Sequence, residues 1–68
     1  MTYYFTKEQW HKLWEHSMWK LYPYTTRRYI IQSRFPNLAY MEFATLNEDK
    51  WGSIVGDEKD INWFLLNL

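Results

Sequence analysis

Thr25-Thr26-Arg27-Arg28-Tyr29-Ile30-Ile31-Gln32-Ser33-Arg34-Phe35 is the stretch on which the fold turns. Read in steps of two, Arg28, Gln32 and Arg34 alternate with Tyr29, Ile31, Ser33 and Phe35, while Thr25, Thr26, Ile30 and Ile31 supply β-branched side chains that suit a pleated surface. A short helix capped by Thr25 or Thr26 and stopped by Pro36 is the competing reading, because the residue before a proline avoids the helical region. The β-branched content favours strand over 26–35. Strand gives the order α-β-β-β-α, and helix gives α-α-β-β-α. Both are α+β, with a small antiparallel sheet of two or three strands and a helix before and after it.

Upstream, Thr6 and Gln9 form a capping box, with Phe5 and Trp10 placed as a hydrophobic staple across it. Trp10, Leu13, Trp14, Ser17, Met18 and Leu21 then recur at helical spacing within about 140° of one another on a wheel. Lys7, Glu8, Lys12, Glu15, His16 and Lys20 fill the rest, and Pro23 closes a helix expected from about residue 7 to about 21. Downstream, Pro36-Asn37 is a turn and residues 38–46 read as strand, with Ala39, Met41 and Phe43 on one face and Tyr40, Glu42 and Ala44 on the other. Asn47-Glu48-Asp49-Lys50 is a polar connection of hairpin length. Residues 51–55 form the next strand, weakened by Gly52, and Gly56 ends it. Asp57 caps a last helix whose apolar stripe is Ile61, Phe64, Leu65 and Leu68, with Glu58 and Asp60 suited to the positive end of its dipole.

Sixty-eight residues make a single domain, residues 1–68, for which surface scaling gives about 4,700 Å² of folded surface. The chain has five Trp, six Tyr, four Phe and no Cys, so neither disulfides nor a zinc-cysteine site can staple it; large rings are one way to compensate, and pairing with another subunit is a second. Neither a secretory signal nor an apolar run long enough for a membrane span is visible, which leaves the cytoplasm as the expected setting and no membrane as partner. Net charge is zero but unevenly spread. Residues 1–34 carry six basic and two acidic side chains, and residues 35–68 carry two basic and six acidic ones. That asymmetry is either complementarity inside the fold or a means of steering a charged partner.

Chemistry-bearing motifs are scarce. His11 and His16 flank Glu15 but stand five residues apart, about 140° around a helix, so they do not converge on a metal. There is no cysteine nucleophile and no Gly-x-Ser-x-Gly elbow, and two glycines cannot make a phosphate-cradling loop. We expect no enzyme activity, no cofactor and no metal. The helix–three strands–helix order resembles the double-stranded-RNA-binding domain in topology. That family carries a basic cluster at the start of its last helix, where this chain has Asp57-Glu58-Lys59-Asp60, so the resemblance does not bring RNA binding with it.

The residues that point to a partner are Trp19, Tyr22, Tyr24, Arg27, Arg28 and Arg34. Trp19 falls about 180° from Trp10, on the polar side of the first helix, where it is either covered by the connection over 22–26 or an exposed anchor, and Trp, Tyr and Arg are the residue types enriched at binding hot spots. The expected function is binding another protein by occupying a surface on it. Self-association as a homodimer or structural homo-oligomer is one alternative. Another is single-stranded nucleic acid held by the same aromatic and arginine side chains. In size and composition the chain resembles accessory proteins of bacteriophages and mobile elements, which implies an inhibitor or modulator of a host enzyme.

Overall fold

The decisive stretch is helical. The computed structural model describes residues 1–15, 18–47 and 49–68, with the backbone alone described for Trp19, Lys20, Thr45 and Leu46. In it, Tyr24–Arg34 forms helix α2, which corrects the strand reading of 26–35. Ile31 is fully buried, Phe35 just past the helix end is buried and Tyr24 is half-buried; these three share one side of the helix and enter the core. Burial of that side outweighs the local β preference of Thr25, Thr26, Ile30 and Ile31. The start also differs from the expected threonine cap. The Pro23 carbonyl accepts from the Thr26 and Arg27 amides at 3.0 and 3.3 Å, leaving both threonines in the first turn.

The remaining elements are strand β1 (Thr2–Phe5), helix α1 (Lys7–Trp14), a 3₁₀ turn (Met18–Leu21), strands β2 (Ala39–Asn47) and β3 (Lys50–Val55), and helix α3 (Glu58–Leu66). The capping box of α1 is formed: the Thr6 hydroxyl accepts from the Gln9 amide, and the Gln9 side chain accepts from the Thr6 amide at 2.9 Å. The helix is nevertheless shorter than its stripe. Trp14 is buried, whereas Met18 and Leu21 are 71% and 74% exposed, so no core contact holds a regular helix through residue 21. His16 and Ser17, part of that expected helix, lie outside the described residues. Asp57 precedes α3 as expected but makes no side-chain capping bond.

The sheet order is β1-β3-β2, antiparallel throughout. The third strand is therefore Thr2–Phe5, to which the sequence reading assigned no element: four residues are too short for a periodic signal, and pairing with β3 makes them a strand. Register places Tyr3, Ile54 and Tyr40 side by side, then Phe5, Gly52 and Glu42, on the face that meets the helices. Phe5, Tyr40, Ile54 and Leu38 join Trp14, Ile31, Phe35, Ile61 and Phe64 in one core, with Leu65 and Leu68 packed against it. The helices thus cover one face of the sheet. The folded surface is 4892 Å², close to the scaling value.

Gly52 has a specific role in this packing. The Phe5 ring crosses over it to stack on Tyr40, with centroids 5.4 Å apart and planes 8° from parallel. A Cβ at Gly52 would sit 2.1 Å from the Phe5 ring and 2.2 Å from the Met41 carbonyl oxygen. Gly52→Ala is therefore expected to cost about 3 kcal/mol, the upper end for overpacking, out of a total of about 5 kcal/mol in so small a domain. A urea midpoint unchanged by the substitution would contradict this crossing.

Candidate functional site

Two regions stand out, a polar cluster under the helices and an uncovered sheet face on the opposite side. The cluster centres on Glu42, which β2 directs toward α1 and α2. Its Oε2 accepts from Trp10 Nε1 at 2.9 Å, Arg27 Nε at 2.8 Å and the Tyr40 hydroxyl at 2.6 Å. Its Oε1 accepts from Arg27 Nη2 at 2.5 Å, completing a bidentate ion pair whose side chains are only 11% and 13% exposed. The Arg27 guanidinium also lies over the Trp10 ring, 5.4 Å from its centroid, and donates to the Tyr22 carbonyl. Trp10 in turn meets Trp51 and His11, with the three rings 5.2 to 5.6 Å apart.

These contacts shift the ionisation of the cluster. Burial pushes the Glu42 carboxyl up, but the hydrogen bonds from Arg27, Tyr40 and Trp10 and the charge of Arg27 outweigh it and hold the carboxyl below its usual value. The Tyr40 hydroxyl is pushed well above the tyrosine range by burial and then by its bond to the carboxylate. The Trp14 indole N–H is buried and makes no hydrogen bond among the described residues. The cluster is therefore a charged clamp, fixed in its ionised form at neutral pH. Among the described residues, no three His, Asp or Glu side chains converge as a metal would require.

Of the residues singled out from sequence, Arg27 faces inward into this clamp. Tyr24 is half-buried, donates from its hydroxyl to the Tyr40 carbonyl at 3.3 Å and stacks near the Tyr40 ring. Tyr22 is exposed, as are Arg28, which bonds to Gln32, and Arg34, which lies over Phe35. The structure thus divides the group: Tyr24 and Arg27 join the polar cluster, Tyr22 meets it through its carbonyl, and the side chains of Arg28 and Arg34 are engaged elsewhere. The side chain of Trp19 lies outside the described residues, as does His16; His11 is exposed beside Trp10 and Trp51. Sequence reasoning missed Glu42 and Trp51. One local signal existed for Glu42, the lone charged residue of β2.

The second region is the outer face of the sheet. Register aligns Thr2, Val55 and Ala39 in one row and Tyr4, Ser53 and Met41 in the next. Phe43 extends the surface, its ring 6.1 Å from that of Tyr4, and Lys50 Nζ sits over Tyr4 at 4.7 Å. Tyr4, Met41 and Val55 are 44%, 53% and 42% exposed and form an apolar patch that spans the two rows around the buried Ser53. No family model, curated protein or solved structure matches the chain.

Breaking the clamp has a measurable consequence. Glu42→Gln leaves the Arg27 charge nearly buried without its counter-ion and is expected to cost about 3 kcal/mol. The wild type also carries a pH signature. A carboxyl held below its unfolded value of 4.5 contributes stability that is complete above about pH 5 and is lost as pH falls through the folded value. Urea unfolding between pH 7 and pH 3 should show this loss in the wild type and a smaller one in Glu42→Gln. Parallel curves for the two proteins would contradict the assignment.

Proposed function

We propose that this domain is a cytoplasmic protein-binding module that acts by occupying a surface on a larger protein, with the outer sheet face as its contact. The observation that carries the reading is the exposed apolar patch of Tyr4, Met41 and Val55, with Phe43 beside it, on a domain whose helices all pack on the other face. Apolar and aromatic side chains held on a sheet lose little conformational freedom when they dock, so their burial is returned as affinity. The cysteine-free composition fits a reducing compartment. The likeness in composition to phage and mobile-element accessory proteins supports a host enzyme as the partner.

Single-stranded nucleic acid is the second reading, supported by the exposed Arg28, Arg34 and Tyr29 of α2. The sheet face itself favours protein. Lys50 is the cation placed over it among the described residues, and tracking a phosphate backbone takes several.

Met41→Glu separates these readings, because it places a charge on the outer face without touching the core. The tagged variant should keep the wild-type circular dichroism spectrum. It should lose, by about 2 kcal/mol or more in affinity, a protein that the wild type captures from host lysate after nuclease treatment. Equal capture by both would remove the sheet face from the account. Material that disappears with nuclease would establish the nucleic-acid reading, and self-association lost in Met41→Glu would establish the homo-oligomer.

A further inference from the structure

Close to the hairpin connection the sheet is irregular. β2 and β3 pair regularly as far as Glu42 and Gly52, and pairing resumes at Asn47 and Lys50, so residues 43–46 face Trp51 alone. Extra residues of this kind bend a strand and re-aim its side chains, and they recur beside functional sites. Here they border a cavity of about 170 Å³ lined by Trp10, Arg27, Glu42, Phe43 and Trp51. Trp10 reaches it from α1 on the helix side, whereas Phe43 meets Tyr4 on the outer face, so the cavity continues the exposed patch toward the clamp. The Trp10 and Trp51 rings are tilted 55° to each other, an open wedge rather than a stack. Trp10, Phe43 and Trp51 are each half-buried, so the wedge reaches the surface.

Size and polarity then select the occupant. An apolar cavity of about 150 Å³ accepts benzene, so a single aromatic ring fits between these walls. Ring-to-ring contact adds to what such a guest gains by burial. The polar wall is more selective. Glu42 Oε2 accepts three hydrogen bonds, whereas Oε1 accepts only from Arg27 Nη2 among the described residues. An ionised carboxylate oxygen has room for a second donor. A cationic guest would meet Arg27 over Trp10 and Lys7 over Trp51 at 6.0 Å, and a carboxylate guest would face Glu42. A neutral ring carrying one donor, the phenol of tyrosine, suits both walls. Phenylalanine would cover the free acceptor without bonding to it.

We propose that this cavity receives a tyrosine side chain of the partner protein, its hydroxyl donating to Glu42 Oε1. The inference rests on the protein-binding reading and names the group that anchors the partner. Tyrosine is among the residues that dominate binding energy when seated in a pocket of this kind.

The test titrates N-acetyltyrosinamide, N-acetylphenylalaninamide and N-acetyllysinamide into the isotope-labelled protein and follows the indole N–H signals of Trp10 and Trp51. The tyrosine amide should move both at millimolar concentration. It should bind about tenfold more tightly than the phenylalanine amide, the low end for a hydrogen bond to a charged acceptor, and the lysine amide should move neither signal. Phe43→Ala removes one wall and leaves Arg27 and Glu42 in place. It should keep the wild-type circular dichroism spectrum and weaken the tyrosine amide by about fivefold. The proposal is overturned if the tyrosine amide moves neither indole, if the phenylalanine or lysine amide binds as tightly, or if Phe43→Ala binds at wild-type strength. Thymidine binding more tightly than the tyrosine amide would assign the cavity to a nucleobase. Indole shifts on dilution of the protein alone would assign it to a second copy, and either result overturns the proposal. If the amides fail while Met41→Glu still loses the captured protein, the cavity inference falls and the sheet-face reading stands.

Discussion

The carboxylate of Glu42 is the point on which this structure depends. One side chain from the sheet receives hydrogen bonds from α1 through Trp10, from α2 through Arg27, and from its own strand through Tyr40. In a nearly dry setting each donor makes the next bond stronger, and loss of the acceptor leaves several buried donors unsatisfied together. A domain of this size without cysteine has few other means of fixing its helices to its sheet. The uneven charge of the chain has one explanation here, since Arg27 from the basic half meets Glu42 from the acidic half.

The same arrangement explains why the two faces of the sheet differ. On the inner face, Gly52 gives up its side chain so that Phe5 can reach Tyr40, and Tyr40 then carries both the ring stack and the bond to Glu42. All three helices are drawn to that side. What remains on the other side is an apolar patch of Tyr4, Met41 and Val55, held in place by strand pairing. In our reading this surface is how the protein engages its partner.

Much of the architecture was legible in the sequence. The capping box of α1, the β2–β3 hairpin and the stripe of α3 are local patterns, and each folds close to where its residues indicate. The hairpin connection is drawn tight by Asn47, whose side chain accepts from the Asp49 and Lys50 amides; Glu48 lies outside the described residues. The failures share a cause, which is that tertiary contact overrode a local signal. Residues 26–35, with Thr25 before them, contain enough β-branched side chains to suggest a strand, yet Ile31 and Phe35 find their burial with 24–34 as helix. Thr2–Phe5 has no signal of its own and becomes a strand because β3 offers an edge. Arg27 resembled a surface arginine because its partner lies fifteen residues away, and Trp10 meets the same carboxylate across thirty-two. Contacts at such separations leave no periodicity to read.

The central claim is that Arg27, Glu42 and their donors act as one unit. A double-mutant cycle on urea unfolding measures it, using Arg27→Met, Glu42→Leu and the two together. The account predicts that each single change costs about 3 kcal/mol while the pair together costs no more than either alone, a coupling of about 3 kcal/mol or more. Additive effects, with coupling within about 0.5 kcal/mol of zero, would contradict it.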